Sequence, residues 1–313
     1  MLYQLSYVGS MPALNHPRVS ASTPTVDSGR SPGTVCRPSA PEQSLLNASF
    51  PLDDHAPDPM AAVLASLDDD SERSTRALRF AGLVGGAGPQ PGGAAGLAHG
   101  VASRLFDVRL PMVRRISLAQ TACLLALPTA PLIERLDRGD DDERTLAAFA
   151  LAAPRHLEAV PALVRSLADL GASPAVRAAS AEALAAIGDA SVTAVLVVAL
   201  DDDHPLVRRA AVVALRTLDA VRCAPAFLHV ARDVDVEVRC AALAALLAVG
   251  GPMACAGARG ALSDVDGAVR AMAIVVLARH GTARDSASID VHHNDSDARV
   301  RRAVREALAI LVA

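Results

Sequence analysis

Residues Pro161–Gly188 read PALVRSLADLGASPAVRAASAEALAAIG. A short apolar run, a turn containing Gly171 and Ser173, and a longer Ala-rich run follow one another. Counted from Val176, the second run carries apolar residues at offsets of 3, 8 and 11, which lie on one face of an α-helix. The stretch predicts a helical hairpin made of a short helix A and a longer helix B.

The same pattern returns down the chain. Val-Arg pairs stand at Val176-Arg177, Val207-Arg208, Val238-Arg239, Val269-Arg270 and Val300-Arg301, each 31 residues after the last. Eight residues past each Val is Leu184, Leu215, Leu246, Leu277 or Leu308. Three residues before each Val sits Ser173, His204, Asp235, Asp266 or Asp297, a column suited to accept the first free N–H groups of helix B. Pro174 and Pro205 follow at the first helical position, where a missing N–H costs nothing. Gly188, Gly250 and Gly281 predict left-handed closure at the end of helix B. Upstream of the caps, PALVRSLADL, SVTAVLVVAL, APAFLHVA and ACAGARGAL supply successive A helices.

A unit this short cannot bury its apolar faces alone, so the units must stack on their neighbours. The run Val-Arg-x-Ala-x-x-x-Ala-Leu-x-x-Ile-Gly within Pro161–Gly188, kept in register along residues 160–312, resembles HEAT repeats of the short phycobilisome-lyase-like variety. That resemblance implies an all-α fold, an α-solenoid coiled as a right-handed superhelix. It also implies a non-catalytic scaffold or adaptor that holds a protein partner on the concave side formed by successive B helices. The alternative it carries is a lyase or maturation factor for a bilin chromophore, because the family includes both.

Residues 160–313 therefore read as five regular repeats, 59–159 as diverged ones, and 1–58 as a disordered tail dense in Pro, Ser and Thr. The stretches Pro59–Leu83 and Ala130–Ala153 each show an apolar helix, an acidic turn and a second helix with Arg near its start. MVRRISLAQTACLLAL from Met112 predicts a further B helix, and the Gly-rich stretch 85–97 interrupts the array.

Composition narrows the function. The chain is 51% hydrophobic but 2% aromatic with no Trp, so its core must come from close approach of Ala, Leu and Val, which favours packed helices. A net charge of −4 gives no field to gather nucleic acid or an anionic membrane, and aromatics to stack on bases are scarce. Every cationic residue is Arg, which excludes lysine Schiff-base chemistry and a Walker-type phosphate loop. Five cysteines without a C-x-x-C pair predict reduced thiols and a cytoplasmic protein. Charge or Pro interrupts every long apolar stretch, so no membrane span is expected. No cofactor is implied, and a homo-oligomer is left open.

Candidate chemistry is sparse. Arg177, Arg208, Arg239, Arg270 and Arg301 form one column, and Asp202, Asp233, Asp264 and Asp295 another; together they predict a ladder of ion pairs between repeats. Asp290, His292, His293 and Asp295 are residue types that bind divalent ions, but they fall in a polar, eroded last helix A and no metal site is expected. The family's iron-binding enzymes use repeated His-Glu dyads, and no such dyad occurs here. Cys240 follows Arg239 near a helix start, where a thiol pKa can fall, yet no triad or carboxylate pair supports catalysis. Helix A at Ser191–Leu200 is apolar around most of its circumference, which predicts an interface through Val192, Val195, Leu196 and Val198.

Overall fold

The computed structural model describes residues 100–311 apart from Leu124 and Ala126, all within one compact unit, Val63–Ala313. The tail 1–58, the Gly-rich stretch 85–97 and the hairpin expected at Pro59–Leu83 lie outside the described residues. Among the described residues there is no strand.

After the helical residues 100–105, α1 (Met112–Ala122) precedes a series of hairpins. Their A and B helices are α2 (Thr129–Arg138) with α3 (Asp141–Ala150), α4 (Val160–Ala168) with α5 (Pro174–Ile187), and α6 (Thr193–Val198) with α7 (Pro205–Asp219). Then come α8 (Ala224–Val230) with α9 (Val236–Val249), α10 (Gly251–Ala261) with α11 (Gly267–His280), and α12 (Ser286–Asp290) with α13 (Ala298–Leu311). Each A helix packs on its own B helix, and each B helix packs on the next, so α3, α5, α7, α9, α11 and α13 form the spine of an α-solenoid. The helix α1 stacks on α3 in the same manner.

The columns seen in the sequence become the core. Val176, Val207, Val238, Val269 and Val300 are all fully buried, as are Leu184, Leu215, Leu246 and Leu277. Between them lie Ala183, Ala214 and Ala245, whose lack of bulk lets the helix axes close up; Phe227 is the one aromatic side chain among the largest fully buried ones. Loss of a buried Leu from such a site typically costs about 2–5 kcal/mol.

Helix starts follow the expected column with one exception. His204 Nδ1 accepts from Leu206 N, Asp235 Oδ1 from Glu237 N and Val238 N, Asp266 Oδ1 from Ala268 N, and Asp297 Oδ1 from Arg299 N. Ser173 makes no side-chain cap bond; Pro174 removes one of the N–H groups it would have served. Stops are more varied. Gly188 is left-handed (φ 83°) and Gly250 has φ 71° with an extended ψ, but Gly281 is extended at φ −74°. Gly281 is instead a close-packing position, where a Cβ would run into Leu277 O.

Candidate functional site: an inter-repeat ladder and the free face of the long helices

Arg177, Arg208, Arg239 and Arg270 occupy the first turn of their B helices, one residue past the buried Val, and so point sideways along the stack toward the next hairpin. Each presents its Nε and Nη2 to both oxygens of one aspartate, pairing Arg177 with Asp202, Arg208 with Asp233, Arg239 with Asp264 and Arg270 with Asp295. These bonds span 2.6–2.9 Å. The remaining nitrogen, Nη1, donates back to carbonyls of the arginine's own A–B turn: Ala172 O, Asp202 O, Asp233 O and Asp264 O respectively. Each aspartate in turn accepts a backbone N–H two residues on, from His204, Asp235, Asp266 and Asp297. A rung thus ties two successive turns together and leaves few charge-bearing atoms unsatisfied.

The rung side chains are only 4–14% exposed, which separates them from ordinary surface pairs. Burial alone would push the carboxyls of Asp202, Asp233 and Asp264 up. The paired guanidinium and the backbone N–H outweigh it and hold them below the usual carboxylate range. For Asp295 the hydrogen bonds from Arg270 dominate and bring its pKa to about 2.

Arg301 departs from the column. Its Nη1 donates to Asp295 O and Ser296 O, but no carboxylate pairs with it among the described residues. Two earlier links were missed in the sequence. Arg144 donates from Nε to Leu136 O and from Nη2 to Asp169, 25 residues on, the step that separates Arg from Asp in every later rung. It lacks the preceding Val that marks the other arginines, whereas the 25-residue step alone points to it. Arg259 of α10 pairs with the buried Asp285, which also accepts from Thr282 N; this pair belongs to no column and had no periodic signal.

With offsets 0, 1, 4, 7 and 8 spent on the core and the rungs, offsets 2, 6 and 9 leave a partly exposed stripe along α7 and α9, narrowed on α5 and α11, where Ala178, Ala271 and Ala278 at these offsets are buried. Glu182, Arg209, Val213, Arg216, Cys240, Ala244, Leu247 and Val275 lie on it. Charge stands at both ends of this free face, where Arg209 approaches Glu237 at 3.9 Å and, on α13, Arg302 approaches Glu306 at 3.8 Å, and the apolar members lie between them. Desolvation raises the Glu182 carboxyl above its ordinary value despite the opposing charge of Arg209.

Other candidate residues are placed differently from expectation. Val192 and Leu196 are buried in this chain's own core and cannot meet a partner, whereas Val195 is half-buried and Val198 is 73% exposed. Cys240 is not activated: burial and the neighbouring Glu237 and Asp266 push its thiol up to about 11. His293 Nδ1 sits 2.9 Å from Asp290 O, His292 lies 3.6 Å from Asp295, and Asp295 is already held by Arg270. Among the described residues no group of three or more His, Cys, Asp or Glu is placed to hold a metal ion, and no helix is long and apolar enough to cross a membrane. A cavity of about 360 Å³ between α8 and α10 exists where Gly257 and Gly260 lack side chains; Asp233, Arg239 and Asp264 on its wall are already paired in rungs.

Stacked hairpins joined by buried Arg–Asp rungs define a protein of the α-solenoid class. The chain belongs to the HEAT-repeat family, whose model matches residues 129–216 and 224–309, more than half of the chain. None of the curated proteins compared with the chain matches it. Among solved structures it is similar to the Escherichia coli protein YibA, with 20% identity, a TM-score of 0.47 and coverage of 88% of this chain and 99% of that one. It is also similar to the complex of CpcE and CpcF of phycocyanin lyase from Nostoc sp. PCC7120, with 18% identity, a TM-score of 0.43 and coverage of 84% and 98%. A third likeness is to human deoxyhypusine hydroxylase, with 19% identity, a TM-score of 0.36 and coverage of 70% and 97%. At these identities the likeness concerns fold alone.

Proposed function

We propose that the chain is a non-catalytic scaffold or adaptor of the cytoplasm that grips a protein partner along the free face of its B helices. One observation carries this reading: the most regular charged residues are consumed by the rungs, and what the stack leaves over is a partly exposed stripe running from Glu182 and Arg209 to Leu247 and Val275. An apolar strip flanked by charges supplies contact area and a register signal, the requirements of a polypeptide-binding face. The thiol of Cys240, pushed up to about 11, offers no nucleophile on that face.

The test is affinity capture with the full chain, comparing wild type with Val213→Glu and Ala244→Glu, each checked for an unchanged circular-dichroism melt. Loss of the same captured protein from both variants, and its retention by Val198→Glu on α6, is the expected result. Equal capture by all four proteins would reject the free face as the binding surface. A visible absorbance that copurifies with wild type would instead support the chromophore-lyase alternative implied by the repeat variety.

A further inference from the structure

Every inner ladder arginine does two jobs: Nη1 ties down its own turn, and the Nε–Nη2 fork takes a carboxylate from the next hairpin. Arg301 does only the first. Its Nη1 donates to Asp295 O at 2.6 Å and Ser296 O at 2.9 Å, the pair of turn carbonyls that Arg270 and Arg239 also use in their own turns. The guanidinium is therefore anchored as in an occupied rung while its fork holds no carboxylate among the described residues. Four residues on, and so on the same side of α13, stands the exposed Arg305. Inner B helices carry Ala181, Val212, Leu243 and Ile274 at that position, each fully buried toward the following hairpin.

We propose that this side of α13 is a docking site for an acidic polypeptide segment, with an Asp carboxylate entering the Arg301 fork and a neighbouring acidic side chain meeting Arg305. The chain itself shows the chemistry four times over: a planar fork, fixed by a third hydrogen bond, receives an aspartate from an Asp-rich turn. Arg305 decides against another hairpin packed as the inner ones are, because close stacking would bury its charge without a partner. It suits a guest carrying several carboxylates instead. This surface lies apart from the free face of the B helices and stands or falls independently of the binding proposed there.

The experiment titrates the full chain into a fluorescein-labelled peptide, VALDDDHP, which copies residues 198–205 and their rung aspartate. Fluorescence anisotropy at low salt should show binding. Arg301→Lys, which keeps the charge but removes the fork, should weaken it by about tenfold or more. Arg305→Ala should weaken it as well, and a peptide with Asn at all three Asp positions should not bind. Unaltered affinity in both variants, or no binding by wild type at millimolar protein, would overturn the proposal. So would a single-stranded oligonucleotide that outcompetes the peptide, since the site would then be one for phosphates.

Discussion

Asp264 shows what a rung is worth. Its pairing with Arg239 is bidentate and buried, so replacing the carboxylate by a neutral amide leaves a desolvated guanidinium with no counter-charge and only one acceptor oxygen for its fork beside its two turn carbonyls. Asp264→Asn should therefore destabilise the chain by about 3 kcal/mol, far more than loss of an exposed pair such as Glu134–Arg138. Urea unfolding of Asp264→Asn and Glu134→Gln measures the contrast, and equal effects would mean that the rungs behave as surface pairs. Glu182 is the converse case. Desolvation raises its folded carboxyl above the ordinary 4.5, so charging it costs stability as pH rises through the folded value, while the protonated form below about pH 4 carries no such cost. Glu182→Gln should accordingly raise the melting temperature at pH 7, and the difference from wild type should vanish by about pH 4. A difference that persists unchanged in acid would place the effect elsewhere than in the charge.

At the scale of the helix, what could be read from sequence depended on how many independent signals agreed. The B helices announced themselves by cap and buried stripe together, with a closing Gly added for α5, α9 and α11, and α5, α7, α9, α11 and α13 fall where those signals put them. The A helices carried fewer. Ser191–Leu200 looked like one helix apolar all round, but it breaks into two short 3-10 turns around the six-residue α6, turning Val192 and Leu196 inward and Val198 outward. Apolar character on both sides of a short helix does not reveal which side the neighbours already cover. Helix α10 hides a comparable distinction between two glycines. A Cβ on Gly257 would lie 2.7 Å from Cδ1 of the fully buried Leu246, whereas one on Gly260 meets nothing within 4 Å. Gly260→Ala should stabilise the chain by about 0.5–1 kcal/mol through helix propensity alone. Gly257→Ala should lose about 1 kcal/mol, because overpacking a fixed core outweighs that gain. Thermal melts that rank the two variants in the opposite order would show that α10 can move away from α9.

Across the whole array, the rungs and the B-helix spine couple nearest neighbours only, so each hairpin depends on the next to cover one of its sides. On α11 that side carries the fully buried Ile274 and the paired Arg270, and α13 covers both, supplying Asp295 from the turn before it. The outward side of α13 is unlike any other in the stack, since Arg305 replaces the buried apolar residue and Arg301 finds no carboxylate among the described residues. Such a polar outer face is what keeps a repeat array from growing by self-association. Removing residues 282–313 should therefore expose Ile274, strand Arg270 without its aspartate, and make the shortened chain aggregate in light scattering where the full chain does not. Adding Ile274→Arg to the shortened chain copies the role of Arg305 and should restore a single dispersed species. If the shortened chain stays dispersed without that change, the arginines of α13 are not what closes the array, and their exposure has only the docking role to account for it.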